Sequence, residues 1–432
     1  MSRFHLCCTE CGASYSESRA LLVCPACVGK QEPGGVTRGV LEVVLEELPS
    51  RWPSGPASCA EFLTAFWPIS SAEFLPSLPV GDTPLLEVPH LRRALGMPHL
   101  RVKDDTRNPS GSTKDRASLL VVSKAREYGY ETVAAASTGN AATALAAVAA
   151  ASGIRAVVFV PASAPEAKLV QMLSYGALVL PVDGTYDQAF ELCLNACRKF
   201  GWYNRNTALN PFTIEGKKTA ALEIARDLAP ECADVIFVPT GDGVIIAGLA
   251  KGFADLERAG LIAKAPRLIA VQPQGAAAIV TALREGRDTI RLVANAASVA
   301  DSLTVQVPRN ALQCLRAVRA SGGSGVKITD AAILEAIAEL ACLTGVFAEP
   351  AGAASLAGLH AALAEGLVDR DERVVLLITG SGLRDIPAAA RAVPRPSPIP
   401  LRIEAVAERF EHFAAEARAR GGGICPMGLR AE

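Results

Sequence analysis

The sequence predicts an α/β fold in which largely parallel sheets are covered by helices. Three observations predict it. From about residue 80, short β-branched runs alternate with longer Ala- and Leu-rich helical runs. Half of the 432 residues are hydrophobic and 20% are charged, which supplies a large core and excludes disorder, collagen and coiled coil. Gly- and Ser-rich loops recur directly after the apolar runs, where ligands bind on such folds.

The elements follow in order. Thr132–Ala136 is expected as a strand and Ala141–Ala151 as a helix. Arg155–Val160 and Ala177–Val182 are expected strands, with Pro165–Ser174 and Asp187–Lys199 as the helices that follow them. Asp234–Pro239, Arg267–Gln272 and Val374–Thr379 are further strands, and Val244–Leu256 is a helix. After Ala390, RAVPRPSPIP reads as an extended connection, Arg402–Arg420 as a terminal amphipathic helix and GGGICPMGLRAE as a loose tail. No internal repeat has a solenoid period.

Lys plus Arg is 43 and Asp plus Glu is 44, a net charge of -1. No overall field draws the chain to nucleic acid or to an anionic membrane. No apolar run approaches the roughly 18–20 residues of a membrane span. The N-terminus, MSRFHLCCTECG, lacks the apolar region of a secretory signal, so a cytoplasmic location is expected.

Five of the twelve cysteines lie in the first 27 residues. Cys8-x2-Cys11 and Cys24-x2-Cys27 have the spacing of a four-thiolate structural zinc site, closed to catalysis because no coordination position stays open. Cys7 and His5 are competing ligands. Cys59, Cys193, Cys197, Cys232, Cys314, Cys342 and Cys425 are scattered and read as small buried hydrophobes.

Four strand-end loops carry chemistry. In Asn108–Arg116, Lys114 opens a helical run, Arg116–Glu127, from a Gly/Ser loop. Its amine there can form a Schiff base with an aldehyde. Ser137-Thr138-Gly139-Asn140 stands between a strand and a helix, which suits both an N-cap and a carboxylate pocket. Gly241-Asp242-Gly243-Val244 matches neither a dinucleotide fingerprint nor a P-loop, yet makes a compact nest for one phosphate. In Thr379-Gly380-Ser381-Gly382 a hydroxyl can meet a ring nitrogen. Glu349-Pro350 reads as a helix start. A Schiff-base lysine, a carboxylate pocket, a monophosphate cup and a ring-nitrogen partner together fit pyridoxal phosphate.

With these motifs the chain resembles the β-family, or fold type II, of pyridoxal-phosphate enzymes, and within it the threonine synthases. The resemblance covers about residues 80 to 392 and rests on VKDDTRNPSGSTKDRAS, ASTGNAATALAAVAA, WYNRNTALNPFTIEGKKT, VPTGDGVIIAGLAKGF, AEPAGAASLAGL and ITGSGLRD. It implies a two-lobed fold like that of tryptophan synthase β, with a Cys-rich ribbon in front. The lobes are expected at 81–120 with 210–392 (large, cofactor-binding) and at 121–209 (small). They are flanked by a ribbon at 1–30, a linker with short helices at 31–80 and an extension at 393–432.

The resemblance also assigns roles. Lys114 resembles the Schiff-base lysine, Asn140 the partner of the cofactor's phenolic oxygen, Gly241 to Val244 the phosphate cup and Thr379 the group at the ring nitrogen. Ser137 and Thr138 are placed for substrate carboxylate or phosphate. Two departures stand out. Thr113 precedes the lysine where relatives have an aromatic residue or His. Asn210-Pro211-Phe212-Thr213 lacks the base that relatives use for substrate phosphate, leaving Arg205, Lys217 or Arg116 for that role.

The implied reaction is O-phospho-L-homoserine plus water giving L-threonine plus phosphate, and the resemblance implies a homodimer. Threonine or serine dehydratases and cysteate-synthase-like enzymes would use the same lysine. An inactive cofactor-binding or zinc-ribbon protein would lack the lysine or the cup, and both are present.

Overall fold

The computed structural model describes residues 3–32, 34–164 and 166–419. Strands β1 (Phe4–Cys8), β2 (Ser14–Ser16) and β3 (Leu41–Leu45) form an antiparallel sheet in the order β2-β1-β3. Along β1, Phe4, Leu6 and Cys8 point inward and His5 and Cys7 outward, the period-2 alternation of a half-buried strand.

Next come β4 (Leu85–Glu87), β5 (Arg101–Asp104) and helix α1 (Lys114–Glu127). They are followed by β6 (Thr132–Ala136), α2 (Asn140–Ser152), β7 (Arg155–Pro161), α3 (Glu166–Ser174), β8 (Leu178–Val182), α4 (Tyr186–Phe200) and β9 (Tyr203–Asn204). Strands β6 to β9 form a four-stranded parallel sheet in the order β8-β7-β6-β9.

The chain then runs through α5 (Phe212–Lys217), β10 (Val235–Pro239), α6 (Val244–Arg258), β11 (Arg267–Pro273), α7 (Ala311–Ala320), β12 (Ser324–Ile328), α8 (Pro350–Ala364) and β13 (Val374–Ile378). The second sheet has the order β12-β11-β10-β13-β5-β4 and is parallel except at β4. Strands β10 and β13 are buried at every residue, as expected for parallel strands covered on both faces.

Helix α5 is wedged between α1 and α6. A Cβ at Gly216 would lie 2.5 Å from the Arg116 carbonyl oxygen, and one at Gly248 would lie 2.8 Å from the Lys217 Cβ. Only bare Cα atoms permit this approach.

The N-terminal sheet is part of the core. Phe4 meets Phe212 edge-on with ring centroids 5.9 Å apart, and the buried Lys124 ammonium lies 5.0 Å from the Phe4 ring centre. Val40 joins Ala208, Ile214 and Val244 in one apolar cluster. Burying a side chain of Phe size contributes roughly 1.5–3 kcal/mol.

Several expectations change here. The span expected as a linker carries two short helices, Ala60–Phe66 and Ala72–Phe74, but also strand β3, which pairs with β1 along its whole length. Cys193, Cys197 and Cys314 are buried as expected, whereas Cys59, Cys232 and Cys342 are partly exposed. The terminal helix, α9 (Ile403–Ala419), is present; Arg420, Cys425 and the tail lie outside the described residues. Among the described residues no helix is long and apolar enough to cross a membrane.

Candidate active site

The loop that carries Lys114 is fastened on both sides. The Thr113 N–H donates to the Thr379 carbonyl at 2.9 Å, and the Ser381 N–H donates to the Gly111 carbonyl at 2.9 Å. Asp115 accepts from the Ser110 N–H at 2.7 Å. Behind the loop, Arg116 places two N–H groups on Asp105 at 2.7 and 2.8 Å and others on Glu223 and Thr219, all fully buried. Lys103 reaches the same Glu223 at 2.8 Å. Arg116 is therefore spent on the scaffold and is unavailable to a substrate phosphate. Lys218 is likewise held by Glu215 and by Asp255 at 2.9 Å.

Lys114 opens into a cavity of about 610 Å³ whose wall includes Ser137, Thr138, Asn140, Arg205, Lys217 and Asp242. Its amine forms no ion pair among the described residues. Burial lowers its pKa, with the charges of Asp242 and Glu349 acting in the opposite direction. A lowered pKa enlarges the neutral, nucleophilic fraction of the amine.

Arg205 and Lys217 are fully buried in the wall. Burial lowers both pKa values, that of Arg205 to about 10, against the pull of Asp242. Arg205 Nε donates to Ser118 at 3.3 Å, and its Nη2 has no hydrogen-bond partner. Such buried, unpartnered donors are rare unless a ligand completes them.

Of the four expected cup residues, Asp242 lines the cavity. A Cβ at Gly241 would lie 2.9 Å from the Ser302 carbonyl oxygen, and one at Gly243 would lie 2.7 Å from the Cys314 Cβ, so both positions are packed tightly enough to need glycine. Val244, buried, starts helix α6 behind them. Thr379 is also buried, and its carbonyl accepts the Thr113 N–H that anchors the Lys114 loop.

Asn140 donates its amide to Glu349 at 2.8 Å and accepts on its oxygen from Arg384. Arg384 also bonds Ser110 at 2.7 Å, Gln171 at 2.6 Å and Thr143 at 2.9 Å. At the cavity mouth Arg309 pairs with Asp187 at 2.9 Å. Sequence reasoning missed the site roles of Glu349, Arg384 and Arg309. The first two stand inside AEPAGAASLAGL and ITGSGLRD, so the motifs marked the segments without marking the side chains.

In the N-terminal unit the Sγ atoms of Cys8, Cys11, Cys24 and Cys27 all lie within 4.8 Å of one another. The Cys8–Cys27 and Cys11–Cys24 separations are 3.8 and 3.7 Å. A tetrahedron with Zn–S bonds of about 2.3 Å has edges of about 3.8 Å, so the four thiols fit a zinc ion. His5 and Cys7 do not join them. Strand alternation turns both to the other face, where His5 pairs with Glu46 at 2.7 Å.

The chain matches the family described as pyridoxal-phosphate dependent enzyme over residues 76–380. It is 37% identical over 398 residues to a threonine synthase of Methanocaldococcus jannaschii, covering 92% of this chain and 96% of that one. It is 35% identical over 406 residues to a threonine synthase of Methanosarcina acetivorans, covering 94% and 98%. The processed form of threonine deaminase isoform 2 from Solanum lycopersicum has a similar fold, with a TM-score of 0.62 at 24% identity over 72% of this chain and 87% of that one. The wall agrees with these relatives, because a buried lysine with a lowered pKa suits an aldehyde cofactor. The chain belongs to the pyridoxal-phosphate-dependent enzymes of fold type II, within their threonine synthase branch.

Proposed function

We propose that this cavity converts O-phospho-L-homoserine and water to L-threonine and phosphate. The observation that carries this reading is the pair of buried cations, Arg205 and Lys217, beside the Lys114 amine. A phosphorylated substrate needs such charge, whereas the uncharged side chain of serine or threonine, the substrate of a dehydratase, needs none.

Lys114, Asn140, the segment from Gly241 to Val244 and Thr379 would hold the cofactor. Pyridoxal phosphate bound there supplies an electron sink for the charge left at the substrate's Cα. The neutral Lys114 amine takes the Cα proton and then a Cβ proton. Ser137 and Thr138, at the start of α2, hold the substrate carboxylate, where backbone N–H groups point outward. Arg205 and Lys217 hold the phosphate as the Cγ–O bond breaks; the two protons that Lys114 removed return to Cγ, which becomes the methyl group, and to Cα, while water gives its hydroxyl to Cβ and its remaining proton to the departing phosphate. The substrate is a small molecule, and the family resemblance supports a homodimer.

Cys8, Cys11, Cys24 and Cys27 would hold a structural zinc. The large lobe is taken as 81–120 with 210–392 and the small lobe as 121–209.

The test is an assay of phosphate and threonine from O-phosphohomoserine. Both products should appear in equal amounts with the wild type, and neither with Lys114→Ala. Turnover by Lys114→Ala near the wild-type rate refutes the assignment.

A further inference from the structure

A phosphate cup is normally built from neutral donors. Here its one side chain on the cavity wall is a carboxylate, Asp242. Oδ1 of Asp242 accepts the Val244 N–H at 3.0 Å, the amide that opens helix α6. Oδ2 accepts the Thr207 hydroxyl at 2.9 Å. The backbone around it is fixed, because the Asn310 N–H donates to the Asp242 carbonyl at 3.0 Å. The carboxylate therefore occupies donors that an incoming anion would use.

The surrounding charges agree. Arg205 and Lys217 share the wall with Asp242, both are fully buried, and neither forms an ion pair among the described residues. The unpartnered Nη2 of Arg205 is a second sign that an anion completes the site. For both cations, Asp242 is the foremost charge acting to keep them protonated.

We propose that Asp242 is a built-in competitor for a phosphate monoester dianion: it takes the ligand's donors at the start of α6 in the empty site and so weakens the hold on phosphate. The benefit is release. A site with only Arg205 and Lys217 would retain the inorganic phosphate that the reaction produces. The proposal rests on reading this cavity as a phosphate-ester site.

The phosphate group in question belongs either to the cofactor or to the substrate and product, and two arms separate them. The cofactor-loaded enzyme is titrated with inorganic phosphate by calorimetry, and the cofactor-free enzyme with pyridoxal phosphate. Asp242→Asn keeps the shape and removes the charge. It should bind tighter in at least one arm by about tenfold, the scale of one like charge removed in a partly screened site. Asp242→Ser, also neutral, should give the same ordering and guards against a fault peculiar to one variant. Unchanged or weaker binding in both arms with both variants overturns the proposal. Arg205→Met and Lys217→Met serve as the separate check on the site itself. If neither weakens phosphate binding, the site reading fails; if they weaken it while the Asp242 variants change nothing, only the competitor role fails.

Discussion

Asn140 and Glu349 lie 209 residues apart in sequence and share a 2.8 Å hydrogen bond at the edge of the cavity. The bond ties the first residue of α2 to the residue that precedes α8. Burial raises the Glu349 pKa, opposed by Lys114, Arg384 and Asn140. Orientation of the Asn140 amide depends on this contact. Glu349→Ala should therefore lower kcat by roughly 100-fold, the scale of a misplaced catalytic group. Steady-state phosphate release measures it, and a wild-type kcat would remove Glu349 from the site.

Arg205 and Lys217 should act mainly on substrate binding. A hydrogen bond to a charged group contributes about 1.5–3 kcal/mol. Arg205→Met or Lys217→Met should raise KM for O-phosphohomoserine by roughly 10- to 150-fold. The dissociation constant for L-threonine, the product, which carries no phosphate, should show no such change. Equal effects on the phosphorylated substrate and on threonine would point to a general structural fault.

Much of the site was readable because its parts are local. Lys114, Asn140 and Asp242 each sit in a short loop next to a strand or helix, and the loop composition marks them. Strand Thr132–Ala136 was readable for the same reason, as a brief apolar run between polar turns. Leu41–Leu45 was not, because Gly and Pro surround it and its partner, β1, is some 37 residues away in sequence, a separation visible only in the pairing of Phe4 with Leu45 and Cys8 with Leu41. Arg116 misled for a related reason: beside a catalytic lysine, a cation reads as substrate-binding, and only the fold brings Asp105 and Glu223 onto it. Arg384 looks like an ordinary surface charge until α2 and α3 are packed beside it.

The Arg116 cluster makes an acid-stability prediction. Burial alone would raise the Glu223 pKa, but Arg116 and Lys103 hold it well below the ordinary carboxylate range. A depressed carboxyl pKa adds stability that is present above the unfolded value and lost as pH falls toward the folded one. Stability of the wild type should thus fall on acidification below about pH 4.3, the usual Glu value. Glu223→Gln should lower stability at neutral pH by about 3–5 kcal/mol, as expected when a buried ion pair loses one partner. It should also flatten the acid limb in denaturant titrations. An unchanged acid limb would exclude Glu223 as its source.

The four thiols predict a metal dependence of stability. Zinc at about 100 times its dissociation constant would add ~2.7 kcal/mol to the folded form. Chelation at neutral pH should lower the thermal midpoint, and zinc should restore it. Cys24→Ser should reproduce the loss and make the protein insensitive to chelator. Elemental analysis showing less than one zinc per chain after purification with zinc would count against the site.

The contacts of Arg384 carry a mechanical consequence. Its guanidinium is bonded at once to Asn140 and Thr143 on α2 and to Gln171 on α3, while its backbone belongs to the loop after β13. Swinging α2 and α3 away from that loop breaks all of these bonds in one event. One guanidinium thus couples two helices of one sheet to a strand-end loop of the other, so Arg384→Ala would release both helices from that loop together.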